Sequence, residues 1–310
     1  MGYNRPMKQE EFTIKSRRDG LELGVSLRIP EQPRGILQLV HGMAEHRERY
    51  HDFMDYCAER GYVVLIHDHR GHGASIQSKD DFGYFGDNGV ENIISDVHQM
   101  TEYLHERFPN LPLILFGHSM GSLVVRCYMQ EYDSDVNGLI VCGSPSKRFG
   151  VGAGKFMAQF LQLLWGERHR SKFVNNLAFG SYDKKFPGSK SPNSWIVSDP
   201  AVVEAYDADA RDGFVFTLNG FVTLFGLMER AYRKSGWGMQ NPDVPIFFVA
   251  GADDPCIISS KDFKRAVNFM RTRGYQNVES KLYPGMRHEI LNEIGKDEVW
   301  QDIVDWMQAD

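Results

Sequence analysis

Polar and apolar residues alternate over residues 12–14 and 21–29, the period-two signature of half-buried strands. Asp19-Gly20 between them predicts a turn, so the stretch reads as an opening hairpin. The rhythm then changes. Residues 35–40, 62–66, 111–116, 136–142 and 245–250 are short apolar runs, and 278–283 reads as a last strand. Helical patterns fall between them, at 47–60, 90–108, 120–131 and 259–273, with a terminal helix reaching 307. Gly61 and Pro109 stop the first two, and a glycine-rich loop fills 71–89. Apolar runs alternating with helices predict a mostly parallel sheet covered on both faces, an α/β fold.

The alternation lapses between residues 145 and 243. Phe156, Met157, Phe160, Leu161 and Leu164 lie at helical spacing with Trp165 following, and Phe221, Val222, Phe225 and Met228 form a second stripe. The expected organisation is an α/β core of residues 1–144 and 244–310 carrying a helical insertion over 145–243. The stripes suit internal helix packing. The other reading is a cap whose aromatic faces, at Phe156, Phe160, Trp165, Phe221 and Phe225, line an apolar substrate pocket.

The strongest chemical signal is Gly117-His118-Ser119-Met120-Gly121. It follows an expected strand and opens an expected helix, the context a strained nucleophilic serine requires. A serine hydroxyl needs a base, and the base needs an acid to orient it. Downstream, the run 245–250 ends in Gly251-Ala252-Asp253-Asp254-Pro255, which offers two acids. The strand at 278–283 leads into a loop carrying His288, the expected base. The order Ser, acid, His is the one this strand–helix arrangement uses. Stabilising a developing oxyanion takes two backbone N–H groups. Met120 is expected to supply one, and Met43, in the loop His41-Gly42-Met43-Ala44-Glu45-His46, the other.

Other readings are weaker. His67-Asp68-His69-Arg70-Gly71-His72 is rich in histidine, but Gly71 stands where a metal-binding H-x-H-x-D-H needs its acid. Asp207-Ala208-Asp209 fails as a calcium loop because Arg211 stands where an acceptor is needed. No metal or organic cofactor is expected.

With these motifs in place, the sequence resembles the α/β-hydrolase superfamily, and within it the monoacylglycerol lipase and lysophospholipase-like group of bacterial serine hydrolases. HGMAEH at 41–46, DHRGHGAS at 68–75, GHSMG at 117–121, GADDP at 251–255 and GMRHEILNE at 285–293 are similar to that group's loops. The GxxDP pattern points to Asp254 rather than Asp253 as the acid. Residues 194–217 resemble a cap segment of the group but depart from it at Ala210 and Asp212, where proline and cysteine are common. The resemblance implies a serine ester hydrolase working through an acyl-enzyme on Ser119, with His288 and Asp254. Its substrate would be a small ester with an acyl or other apolar group. A peptidase similar to proline aminopeptidases shares the architecture and would need a cap acid, such as Glu204, Asp207 or Asp209, to hold the substrate amine. A ligand-binding protein with an idle triad is the third reading.

Charge and composition narrow the partners. The chain has 310 residues, 42% of them hydrophobic, and a formal charge of −6, which argues against a broad nucleic-acid surface. The four cysteines, Cys57, Cys127, Cys142 and Cys256, are widely spaced and suit a reducing compartment. The polar start predicts no secretory leader, and Pro6 spoils Met1-Gly2 as a myristoylation site. No run approaches the ~20 apolar residues of a membrane span, so a cytoplasmic location is expected. The stretch 155–165 could rest on a lipid interface, but internal packing or a homodimer contact suits its few basic residues better.

Overall fold

A computed structural model describes residues 7–309; the Met1-Gly2 start and Pro6 lie outside them. Eight strands form one sheet: β1 (Met7–Lys15), β2 (Glu22–Pro30), β3 (Gly35–Val40), β4 (Tyr62–His67), β5 (Leu113–His118), β6 (Gly138–Cys142), β7 (Ile246–Gly251) and β8 (Val278–Tyr283). Their order is β1-β2-β4-β3-β5-β6-β7-β8. β1 pairs with β2, and β2 with β4, antiparallel; every other pairing is parallel.

The apolar runs work by facing both ways. In β3, Ile36 and Val40 point into one core while Leu37 and Leu39 point into the other. β5 repeats this with Leu113 and Leu115 against Ile114 and Phe116. Strands buried on both faces need apolar residues at almost every position. The exception in β3 is Gln38, whose side-chain amide is bonded at both atoms: Nε2 donates to Val97 O at 2.8 Å, and Oε1 accepts from Thr101 Oγ1 at 2.8 Å. The hairpin is longer than the 12–14 and 21–29 read from alternation. β1 is an edge strand that faces water on one side, and its charged positions pair as well as its apolar ones.

One core lies beneath α2 (Gly89–Arg107), α3 (Met120–Tyr132) and α8 (Ser260–Arg273). The other lies beneath α1 (His51–Glu59) and α9 (Lys296–Gln308). Between β6 and β7 run α4 (Val151–Trp165), α5 (Lys172–Phe179), α6 (Pro200–Ala208) and α7 (Leu218–Ala231). α7 is not a detached element. Leu218, Phe221, Leu224, Leu227 and Met228 join the same core as α2 and α3. α4 contributes only Ala158 and Leu161 as buried residues. No helix among the described residues is long and apolar enough to cross a membrane.

The parallel register brings the strand ends together. Val40 pairs with Gly117, His118 with Cys142, and Gly251 with Tyr283. The loops carrying Met43, Ser119, Asp254 and His288 therefore leave one rim of the sheet, the edge at which open α/β sheets place their ligands.

Candidate active site

β5 passes into α3 through a single residue. Ser119 has φ 52° and ψ −117°, a conformation that residues with a Cβ avoid at a cost of about 1–3 kcal/mol. The turn is tight enough to impose it. A Cβ on Gly117 would stand 2.5 Å from Gly121 O, and one on Gly121 only 2.2 Å from Val40 O. The two glycines thus let the turn fold onto its own helix and onto the end of β3. The Ser119 N–H donates to Cys142 O at 2.9 Å, fixing the turn to the neighbouring strand.

The acid loop follows β7. Asp254 is buried, and its Oδ1 accepts the Cys256 N–H at 2.7 Å as the cap of a short helical turn. Its Oδ2 lies 2.9 Å from His288 Nδ1. Asp253 is exposed. Backbone contact joins the acid loop to the histidine loop: Asp253 N–H donates to Met286 O at 3.0 Å, and a Cβ on Gly251 would stand 2.0 Å from Arg287 O.

His288 Nε2 lies 2.8 Å from Ser119 Oγ. When the ring is neutral and Asp254 accepts from Nδ1–H, the Nε2 lone pair faces the serine hydroxyl. Burial disfavours the imidazolium, but the Asp254 charge and hydrogen bond outweigh it and hold the His288 pKa well above the ordinary value. Its neighbour His118, with ring centroids 4.7 Å apart, is driven the other way by burial and then by His288 itself.

The loop after β3 lies directly against the serine. A Cβ on Gly42 would come within 3.0 Å of Ser119 Cβ. Gly42 N–H donates to Glu45 Oε1, and Ala44 N–H to His72 Nε2 at 3.2 Å. The Met43 N–H between them has no acceptor among the described residues. Met120 opens α3, so its N–H has no carbonyl four residues back within the helix.

The histidine-rich stretch braces this loop. His41 Nε2 accepts the His69 N–H at 2.9 Å, and His72 Nδ1 lies 3.1 Å from Arg70 O. Burial pushes His67 down to about 3 and His72 to about 4, so both rings are neutral. Asp68 accepts the Arg47 and Ala74 N–H groups at 2.8 Å, and Arg70 is buried against Asp96 and Asp19.

The five cap aromatics fall elsewhere. Phe156 is 70% exposed, Phe160 48% and Trp165 57%, on the solvent side of α4. Phe221 and Phe225 are consumed by the main core, where they stack on each other. The aromatic ring beside His288 is instead Trp195, 5.1 Å away, which Tyr182 supports edge-on at 5.0 Å. Sequence reasoning passed over both because neither sits in a periodic stripe. It also passed over Cys256, whose Sγ is 3.9 Å from His288 Nε2 and whose buried thiol is held neutral.

A buried ionic network runs behind the site. Arg49 reaches Glu45 at 2.9 Å and Glu289 at 2.6 and 2.7 Å, and stacks over Tyr206. Burial, with Glu289 nearby, raises Glu45 to about 7 despite Arg49.

A serine engaged by an imidazole at the C-terminal rim of such a sheet defines a serine hydrolase of the α/β-hydrolase class. The sequence profile of the family described as serine aminopeptidase, S33, matches residues 31–295, and the chain belongs to that family. It is 25% identical over 287 residues to a monoacylglycerol lipase of Mycolicibacterium smegmatis, covering 89% of this chain and 88% of that protein. It is 23% identical over 281 residues to the human monoglyceride lipase, covering 89% and 82%. The structure of a thermostable carboxyl esterase from Bacillus coagulans, solved with glycerol, superposes with a TM-score of 0.88 at 28% identity, over 97% of this chain and 98% of that one.

Proposed function

We propose that the protein is a serine ester hydrolase acting on monoacylglycerols or similar small acyl esters. The observation that carries this is the continuous path from Asp254 through His288 to Ser119 Oγ, at 2.9 and 2.8 Å. In this reading Ser119 Oγ attacks the ester carbonyl while His288 Nε2 takes its proton. Asp254 keeps the ring oriented and stabilises its cation. The Met43 and Met120 N–H groups hold the oxyanion. His288 then returns the proton to the leaving alcohol, and the ester bond breaks. Water, deprotonated by the same imidazole, attacks the acyl-enzyme; the acyl–Oγ bond breaks as His288 gives that proton to Ser119 Oγ, freeing the carboxylic acid.

The ester reading is supported by the lipase and esterase relatives and by the apolar ring of Trp195 beside His288. The family's aminopeptidase description raises the peptidase alternative, which needs a free acid for the substrate amine. Glu204 and Asp207 face solvent, Asp207 is bound by Asn193, and Asp209 is held by Arg211. Asn193 and Arg211 thus compete with a substrate amine for two of the three. We take residues 145–243 as a cap whose 182–195 stretch, not α4, forms the roof beside His288. A panel of monoacylglycerols, lysophospholipids, short p-nitrophenyl esters and an aminoacyl p-nitroanilide tests the proposal. Turnover of the esters, absent in Ser119→Ala, supports it; selective cleavage of the anilide overturns it.

A further inference from the structure

His46 follows Glu45 in the loop after β3, and its side chain is 4% exposed. Its Nε2 lies 3.3 Å from Asp209 Oδ2 and 3.7 Å from Asp212 Oδ1. All three donor atoms lie within 4.8 Å of one another. The Asp212 side chain is only 2% exposed, and its Oδ1 has no hydrogen-bond partner among the described residues. A buried carboxylate oxygen that faces an imidazole nitrogen beyond hydrogen-bond reach is an expensive arrangement unless something lies between them.

We propose that His46, Asp209 and Asp212 form a binding site for a divalent transition-metal ion, with Zn²⁺ the best match. Ligands held about 2.0–2.1 Å from a tetrahedral zinc stand about 3.4 Å apart, close to the two separations from His46. One imidazole with two carboxylates favours such an ion over calcium or magnesium, which prefer oxygen alone. Burial holds His46 below the ordinary histidine range and pushes Asp212 up to about 8, so the ring offers its lone pair while Asp212 binds the ion with release of its proton. Charge points the same way. The carboxylates of Glu45, Asp212 and Glu289 share the Arg49 guanidinium, and those of Glu48 and Asp209 share Arg211. Arg211 also grips Asp209 Oδ2, at 2.8 Å, as an outer group that orients a ligand. Asp209 is 28% exposed and offers the way in.

The ion would act as a clamp. Tyr206 O–H and Gly213 N–H already donate to Ala44 O, both at 2.9 Å. A metal held by the 209–212 turn and His46 would lock that turn onto the loop that carries Met43. Asp212, buried beside His46, supplies the third donor.

The test is titration of ZnCl₂ into the EDTA-stripped full-length protein, followed by calorimetry and thermal unfolding, neither of which reads activity. One equivalent per chain and a raised Tm are expected. Asp212→Asn and Asp209→Asn should each weaken binding at least about tenfold while keeping the wild-type circular dichroism. If Asp212→Asn does not fold, Asp209→Asn, at the exposed edge, decides alone. Cys256→Ser should keep the equivalent, which separates this site from the Asp254, Cys256 and His288 donors. No Zn²⁺ binding, unchanged affinity in the aspartate variants, or loss in Cys256→Ser would overturn the proposal.

Discussion

Arg49 and Glu289 lie 240 residues apart in sequence, yet the guanidinium grips both carboxylate oxygens of Glu289 at 2.6 and 2.7 Å. The pair is nearly buried, with side-chain exposures of 11% and 6%. Glu289 adjoins His288, and Glu45, another partner of Arg49, holds the Gly42 N–H. The pair therefore ties the histidine loop to the loop beside Ser119. Removing one member of a buried pair leaves an uncompensated charge and costs about 3–5 kcal/mol. Arg49→Met is expected to lower unfolding stability by that amount, read from denaturant midpoints at constant m-value.

Asp253 and Asp254 are neighbours with opposite surroundings. Asp254 is buried against His288, while Asp253 faces water. Asp254→Asn is expected to cut kcat by about 10³–10⁴-fold through loss of the correct imidazole tautomer. Asp253→Asn should stay within about twofold, as surface changes do. Steady-state rates on one ester for both variants check this directly.

Two glycines separate stability from chemistry. Gly121→Ala would set a Cβ 2.2 Å from Val40 O and 2.5 Å from His41 O, so α3 and β3 must part. A loss of about 1–3 kcal/mol is expected from such overpacking. In Gly42→Ala the close atoms are the Glu45 carboxylate at 2.6 Å and Ser119 Cβ at 3.0 Å. That variant should fold with a smaller loss but lose turnover, because the methyl displaces the Met43 amide and the serine. Thermal melts paired with kcat measurements distinguish the two.

The His288 pKa makes a pH profile diagnostic. As a base the ring must be neutral, so kcat/KM should fall as the pH drops through a value above the ordinary histidine pKa of about 6.5. Replacing Asp254 with Asn removes the charge that raises it and leaves burial, which lowers it. The residual activity of that variant should carry its acid limb at lower pH. The same shift links to folding. The stabilisation from the charged His288–Asp254 pair is full below the unfolded histidine pKa and is lost as the pH rises through the folded one.

What could be read from the chain depended on whether the signal was local. β3 through β7 were legible because residues such as Leu37 and Ile36 must both be apolar when the two faces are covered. Ser119 and His288 were legible because each follows a strand end, and the register sets those ends side by side. The helices between β6 and β7 were less so. The stripe of α7 suited a pocket wall as well as a core, and the core claims Phe221. Phe156 and Phe160 have apolar side chains at helical spacing and still face water. The Arg49–Glu289 pair and the partners of Asp212 left no trace, because they arise from loops that meet only once the sheet has formed.

The most direct measurement is intact-mass and peptide-level mass spectrometry of the protein quenched during turnover of a p-nitrophenyl ester. The expected result is an acyl adduct on the peptide carrying Ser119, absent in a folded Ser119→Ala variant whose rate falls at least ~10³-fold. An adduct on another residue, or near-wild-type turnover by that variant, would contradict the assignment of Ser119 as nucleophile.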